Sequence, residues 1–542
     1  MPTVNLNKWI LQSMTGLSKE EISDYLFKLK SEVNEIDQDT ISVEVNADRL
    51  DMLGLGGIVR ALKGISGKEK GERKYSVNET EYVLEVGDVP SRPFALACVI
   101  YNVRLNPEFY LKELIQFQEK LHDTIGRRRK KVAIGIHDLK KVKGKIIKYI
   151  NLPLSSTFVP LNQSREMSVA EVLKETEQGR IYGNISVRNG MTPAIVDVEG
   201  VLSIPPVINS ERTRISGETT SLLIDVTGTN FDAVYQTLDL LSTNLAELGA
   251  EIGSVVVKGT KEFKSPLLNH VNVSANVSNI NRRLGTDLDG GEIVRLIQKM
   301  RMDASLDGDE IRVIVPPYRV DIMTYADLAE DVAMAVGYDN FSLTQGSSQG
   351  LGTLSERSSF YRKLRSLLIG AQFQEIYTLV LMKSSYQLAG DYVKVENPIS
   401  VDYDSVRNSL MWNVLLFLAN NQHSRFPIRV FEIGETVKAK AESDTSYLNE
   451  LRVSLGIMDS KVSYEGLQAP LHEVISNLTG RTPSYQAVED KLFIKGRCAN
   501  IYMEGQQIGI LGEVSPEILS NYGVLYPVVL AELYLDKIMG MV

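Results

Sequence analysis

Val315–Asn340 reads VPPYRVDIMTYADLAEDVAMAVGYDN, and it places four carboxylates, Asp321, Asp327, Glu330 and Asp331, within eleven residues. Thr324 followed three residues later by Asp327 is a capping-box spacing, which predicts a helix over Tyr325–Val336. Leu328, Val332, Ala335 and Val336 recur at i, i+4, i+7 and i+8 and predict a buried stripe. Asp327, Glu330 and Asp331 fall at i, i+3 and i+4 and share another face. Asp321, at the end of the preceding strand, is close enough to fold over that face. A helix N-terminus favours each acid by only ~0.3–1 kcal/mol, which does not call for three mutually repelling carboxylates. A divalent cation, or an Arg or Lys from a partner, removes the repulsion. Oxygen donors with no His or Cys beside them favour magnesium or calcium over zinc. The competing explanation is a wet helix face whose acids serve the cap and the dipole.

Around this stretch the chain divides by composition. Upstream, residues 265–341 hold a strand, an Asn-rich turn, a short helix, a second helix beginning near Asp289, and the strand of IRVIVPPYRVDI ended by Pro316-Pro317. Two short helices with a strand suggest a compact helical module of winged type. Residues 342–356 (SLTQGSSQGLGTLSE) read as a polar linker. Residues 357–542 are expected to form a final α/β domain, with a helix over Ser358–Gly370 and strands over Ile428–Ile433, Arg452–Met458, Cys498–Met503 and Ile508–Gly512. Residues 1–85 read as a small α/β module: a capped helix from Ser18 to Lys30, a strand over Ile41–Val45, and a helix from about Leu53 to Lys63 stopped by Gly64. Residues 86–264 read as a mixed α+β module. Its expected strands are Ala95–Val103, Val132–Ile136 and Val255–Lys258, and its expected helices Pro107–Ile125 and Phe231–Leu248. The fold class is therefore multidomain α+β.

Composition bounds the function. With 43% apolar and 23% charged residues over 542 positions, the chain can bury several cores. No apolar run approaches the ~18–20 residues that span a bilayer, so no membrane partner is expected. MPTVNLNKWILQ lacks a basic n-region and an apolar h-region, so no secretory signal is expected. Two cysteines 400 positions apart, Cys98 and Cys498, exclude a disulfide framework or a Cys-rich zinc site. These features point to a cytoplasmic location. The net charge of −9 argues against nucleic acid, but Lys120–Lys148 carries eleven Lys/Arg against two Asp. Its centre is Gly126–Lys131, GRRRKK. Arg127, Arg128, Arg129, Lys130 and Lys131 are either a solvated rim or a local phosphate-binding surface.

Six stretches, VEVNADRLDMLGLGGIVRALKGISG, LSIPPVINSERTRI…LLIDVTGT, VPPYRVDIMTYADLAEDVAMAVGYDN, VENPISVDYDSVRNSL, FEIGETV and GEVSPEIL, occur in this order. Together they resemble the phenylalanyl-tRNA synthetase β-subunit family in its archaeal/eukaryotic form. One departure is NADRLD, where the family more often has NRPD. The resemblance implies a heterotetramer of two α and two β chains acting on tRNA(Phe). The α chain would use ATP to attach phenylalanine, making the complex an aminoacyl-tRNA ligase. It also implies that residues 357–542 are a degenerate class II synthetase-like domain with an antiparallel sheet. A working class II site needs an Arg in an FRxE-type motif and a Gly-rich motif ending in Arg. Here Arg429–Glu432 has the wrong spacing and no GxGxxR appears before the C-terminus. The resemblance further implies that Asp321, Asp327, Glu330 and Asp331 hold a magnesium ion shared with the α subunit.

Finally, the resemblance implies that residues 86–264 hydrolyse mischarged tyrosyl-tRNA(Phe). The matching positions are Leu202, Ser203, Pro205, Pro206, Asn209 and Ser210 in the family's VLSxPPxINS segment, and Asp225 and Thr227 in its DVTG segment. Asp225 is expected either to accept from the tyrosyl hydroxyl or to pair with the substrate ammonium. No His or Cys nucleophile is expected nearby, and an activated ester needs only a positioned water. The basic run would guide the acceptor end of the tRNA. Two alternatives remain: a freestanding tRNA-editing hydrolase, and a structural interaction subunit without editing.

Overall fold

A computed structural model describes residues 2–343, 346 and 350–541. Five residues of the expected linker, 344, 345 and 347–349, lie outside the described residues. The chain forms two compact units, residues 1–344 and 345–542.

In the first unit the alternation of apolar residues produces two large sheets. The five-stranded one runs Val77–Asn78, Glu251–Gly253, Phe94–Tyr101, Ser221–Gly228, Val132–Asp138. The seven-stranded one runs Ile208–Asn209, Gly200–Ile204, Met191–Asp197, Ile146–Pro153, Val83–Val86, Val255–Lys258, Glu262–Ser265. Both are mixed: Val83–Val86 lies parallel to its two neighbours and the remaining pairs of that sheet are antiparallel. Strands Val77–Asn78 and Val83–Val86 thus belong to the sheets of the module that follows them, so the first module ends earlier by sheet partnership than at residue 85. The helix Phe231–Glu247 covers the five-stranded sheet and packs on the helix Leu55–Ile65. That second helix runs through Gly64 instead of stopping at it. Gly64 serves a close approach, because a Cβ there would lie 2.4 Å from the Lys299 carbonyl oxygen.

Residues 271–336 build a three-stranded antiparallel sheet, Val271–Asn276, Glu310–Val315 and Asp303–Asp307, with helices Val277–Leu284, Gly290–Lys299 and Tyr325–Val336. Asp289 caps the second helix and Thr324 the third, the latter with its capping box formed.

The second unit is a seven-stranded sheet in the order Gln374–Glu375, Ile428–Ala439, Tyr447–Met458, Val528–Tyr534, Gln506–Val514, Phe493–Met503, Ser484–Ala487. Only Gln374–Glu375 runs parallel to its neighbour. Successive residues feed opposite faces. Val430 belongs to the core under the helix Met411–Asn420, and Phe431 to the core under the helices Glu356–Gly370 and Tyr464–Thr479. Among the described residues no helix is long and apolar enough to cross a membrane.

Candidate functional site

The four carboxylates do not gather on one wet face. Asp331 is buried with Leu328 and Val332, because helix Tyr325–Val336 packs on more than one side. Its counter-charge is Arg319, twelve residues upstream. Arg319 Nη2 donates to Asp331 Oδ1 at 3.0 Å and to Asp321 Oδ2 at 2.7 Å, and Arg319 Nε donates to Asp321 Oδ1 at 2.9 Å. Asp327 accepts from the backbone N–H groups of Met323 (2.9 Å) and Thr324 (2.7 Å), closing the cap. Glu330 points outward to Lys30 Nζ at 2.6 Å. The repulsion that seemed to demand a cation is therefore relieved within the chain. The arginine that relieves it, Arg319, lies in the same stretch, Val315–Asn340. As arranged, the four do not fit a metal, and among the described residues no group of three or more His, Cys, Asp or Glu side chains is disposed to hold one.

The same junction reaches the first module. Arg49 and Asp51, both in the divergent NADRLD segment, form a buried bidentate pair at 2.9 and 3.0 Å. Arg60 Nη2 reaches Asp51 Oδ2 at 3.4 Å, and its guanidinium lies 3.7 Å from the Tyr318 ring centre. Arg49 and the neighbouring guanidiniums outweigh burial and hold the Asp51 carboxyl down at about 2. Burial dominates at Asp331 and raises it, since Asp331 shares Arg319 with Asp321.

The second cluster surrounds a cavity of about 610 Å³, within the range of small-ligand pockets. Ser203 and Pro205–Asn209 form one wall, and Ala133–Ile136 with Thr213 form others. Of the expected residues of the two segments, Ser203, Pro205, Pro206 and Asn209 line it. Ser203 Oγ is buried and has no hydrogen-bond partner, whereas Asn209 Nδ2 donates to the Ile136 carbonyl at 3.2 Å. Leu202 is core, its carbonyl accepting from the Ser210 N–H. Ser210 is engaged in a cap: its Oγ accepts from the Arg212 N–H and donates to the Val159 carbonyl. Thr227 is fully buried, and its Oγ1 accepts from Arg92 Nε at 3.3 Å.

Asp225 sits one layer behind the wall. Sheet pairing sets it opposite Gly135, and a Cβ on Gly135 would stand 2.1 Å from Asp225 Oδ2. The missing side chain makes room for the carboxylate. Oδ2 is 2.9 Å from His137 Nε2, and His137 Nδ1 is 2.8 Å from Thr213 Oγ1. A carboxylate only accepts, so in the neutral ring Nε2 carries the hydrogen and Nδ1 accepts from the threonine. Asp225 Oδ1 has no partner. The expectation that no histidine stands near this site is thus corrected. His137 comes from a strand 88 residues upstream of Asp225, outside the segment where the motif was read. The available signal was period 2 in VAIGIHD, which puts Gly135 and His137 on one face.

The basic run splits. Arg127, Arg128 and Arg129 occupy the left-handed region at φ 49°, 53° and 62°, which costs roughly 1–2 kcal/mol per residue. Buried Arg92 holds the turn by donating from Nη1 to the Arg129 carbonyl (3.1 Å) and from Nη2 to the Thr227 carbonyl (2.8 Å). No carboxylate accompanies Arg92, and burial pushes it down to about 10. The turn aims Arg129 inward. Its Nη1 donates to the Pro206 and Val207 carbonyls (3.3 and 3.2 Å), its Nη2 to Glu119 (2.8 Å), and its guanidinium stacks on Tyr182. Arg127, Arg128 and Lys130 stay exposed, while Lys131 is half-buried.

Residues 273–338 match a family model described as the tRNA synthetase B5 domain, and residues 343–535 one described as the phenylalanyl tRNA synthetase beta chain CLM domain. These define the chain as a multidomain component of an aminoacyl-tRNA synthetase. The chain is 64% identical over 538 residues to the phenylalanine–tRNA ligase beta subunit of Metallosphaera sedula, covering 99% of both chains. It is 48% identical to that of Saccharolobus solfataricus, again covering 99% of both. A crystal structure of an N-terminal fragment of the Pyrococcus horikoshii phenylalanyl-tRNA synthetase beta subunit superposes with a TM-score of 0.59 at 34% identity, covering 62% of this chain and 99% of that one. The chain belongs to the phenylalanine–tRNA ligase β-subunit family, of archaeal type.

Proposed function

We propose that this chain is the proofreading and architectural half of a cytoplasmic phenylalanine–tRNA ligase, with two copies assembling with two α subunits. The α subunit uses ATP to charge tRNA(Phe), and this chain hydrolyses tyrosyl-tRNA(Phe) made in error. The need is physical. A hydrophobic pocket rejects a substrate with one extra hydroxyl by only roughly 10²-fold, so a second, polar site is required to reach higher fidelity. The observation that carries the reading is the cavity walled by Ser203 and Pro205–Asn209, with a buried Ser203 hydroxyl left without a protein partner.

The second unit supports the division of labour. Its buried arginines are engaged internally: Arg407 Nη1 donates to Glu432 at 2.7 Å, and Arg452 pairs with Glu450 and Glu532. No open guanidinium cluster of the kind that grips a triphosphate is offered by these residues. Tyr377, Leu379, Ile399 and Val401 are exposed apolar side chains within one short stretch, which suits a surface covered by the α subunit. Magnesium bridging to the α subunit through Asp321, Asp327, Glu330 and Asp331 gains no support from their present partners, and no role is derived for it.

The test is deacylation of tyrosyl-tRNA(Phe) by the chain alone and by its complex with the α subunit. The expected result is hydrolysis by the complex and none of phenylalanyl-tRNA(Phe) at a comparable rate. Full activity in the isolated chain would instead identify a freestanding hydrolase, and none in either setting a scaffold.

A further inference from the structure

Thr213 ends a buried hydrogen-bond chain, Asp225–His137–Thr213, and it lines the cavity. Its hydroxyl hydrogen is directed at His137 Nδ1, so only its oxygen lone pairs remain to meet a ligand. All three side chains are almost fully buried. A purely apolar wall would be cheaper than a buried acid–imidazole–hydroxyl series, because each polar group must be desolvated.

We propose that Thr213 orients and activates the hydrolytic water in the deacylation put forward above, with His137 and Asp225 as positioning residues behind it. The inference rests on that reading. A static acceptor for a phenol would need no imidazole behind the hydroxyl. An attacking water needs a route for its proton, and this chain supplies one. The water oxygen bonds to the ester carbonyl carbon. Its proton passes to Thr213 Oγ1 as the threonine's own hydrogen passes to His137 Nδ1, and the imidazolium is stabilised by Asp225. Collapse breaks the bond from the carbonyl carbon to the ribose oxygen, which takes the proton back through Thr213. The products are tyrosine and tRNA with its terminal hydroxyl restored, and no further reactant is consumed. Ser203 Oγ, also in the wall and unpartnered, is left to bind the substrate. Asp225 acts here through Oδ2 and His137, and its Oδ1 has no protein partner.

The experiment is steady-state deacylation of tyrosyl-tRNA(Phe) by the assembled α–β complex, with phenylalanine charging as the control for intact assembly. Thr213→Val keeps the shape and removes the hydroxyl. It should lower kcat by about 10²-fold or more and leave KM within about threefold. Thr213→Ser, which restores a hydroxyl, should recover kcat to within about tenfold of wild type, a rescue that a packing role would not produce. Retention of kcat in Thr213→Val, or a loss confined to KM, overturns the inference while the hydrolysis by wild type upholds the editing reading. A wild-type complex that charges but does not deacylate overturns both. Should Thr213→Val also lose charging, Asp225→Asn is read the same way: kcat falls with KM retained if the relay operates, and is unchanged if it does not.

Discussion

The cavity near Ser203 and the junction around Arg319 are both built from residues far apart in the chain, yet they are electrostatic opposites. The junction is closed. Arg49, Arg60 and Arg319 meet Asp51, Asp321 and Asp331 in bidentate or shared pairs, so its charges are balanced within the chain, although Asp331 Oδ2, 2.8 Å from Arg319 Nη1, and Arg49 Nη1 lack a hydrogen bond. The cavity is open, and its wall leaves Ser203 Oγ without a partner, with Asp225 Oδ1 likewise unpartnered one layer behind. A buried polar atom without a partner costs about 1–3 kcal/mol; at the junction the adjacent ion pairs offset that cost, whereas at the cavity wall Ser203 Oγ has no counter-charge beside it and faces space a ligand can fill. The carboxylates that stand out in the sequence are the ones engaged by cations or a helix cap, and the groups available for chemistry are inconspicuous hydroxyls and one histidine.

The hardest blow to this contrast would come from the junction. Asp331→Ala leaves Arg319 buried and short of an acceptor, which should cost about 3–5 kcal/mol, read as a lower denaturant midpoint for the transition of residues 1–344. Asp327→Ala removes only a cap and should cost about 1 kcal/mol. Equal losses at the two positions would return the junction to the status of a decorated helix.

A second measurement separates acids that have a cation from acids that do not. Among the described residues, buried Glu113 accepts from the Leu55 N–H alone, and Asp239 accepts only from backbone at Leu267 and Leu268. Burial pushes each up to about 7. In the folded chain they hold their protons to higher pH than in the unfolded chain, so stability falls as pH rises from about 4 to about 7 and is level above. Glu113 contributes roughly 3 kcal/mol and Asp239 roughly 4 kcal/mol over that window. Glu113→Gln and Asp239→Asn should therefore gain on wild type by about those amounts between pH 4 and pH 8. Asp51, held at about 2, behaves with the reverse sign: its stabilisation is present above about pH 4 and is lost as pH falls toward 2.

What could be read in advance followed from range. The helix Tyr325–Val336 and its capping box were legible to the residue because cap, stripe and breaker lie within a dozen positions. The orientation of Asp331 was not, because the i, i+3, i+4 rule describes one face of an isolated helix and this helix is covered on several. Of the positions singled out in the VLSxPPxINS and DVTG segments, Ser203 and Asn209 lie on the cavity wall, whereas the oxygens of Ser210 and Thr227 are engaged in a cap and in holding Arg92. His137 and Thr213 join the site only through the pairing of Val132–Asp138 with Ser221–Gly228 and the return of the segment near Arg214. Sheet register of that kind is not written in any one motif.

The basic run offers a smaller effect. Arg127→Ala and Arg128→Ala remove exposed charges from the turn beside the cavity, so each should reduce the slope of log affinity for tRNA(Phe) against log salt by about 1 if both meet phosphates. Arg129→Ala should leave the slope unchanged and disturb deacylation, since its guanidinium is tied to Pro206, Val207 and Glu119. A slope change at Arg129 and none at Arg127 would invert the assignment.

The smallest expected effect is the sharpest on the opening contrast. A ligand that binds only the folded chain raises stability by RT ln(1 + [L]/Kd). With Arg319 already neutralising Asp321 and Asp331, and Asp327 accepting from the cap, millimolar magnesium should move the midpoint of the isolated chain by less than about 1 °C. A larger rise that vanishes in Asp327→Ala with Glu330→Ala would show that the two outward carboxylates recruit an ion despite their present partners. The junction would then be incomplete in the same sense as the cavity. If the shift stays absent in the isolated chain but appears in the α–β complex and is lost in that double variant, the missing ligands come from the partner, and satisfaction within one chain is not satisfaction in the assembly.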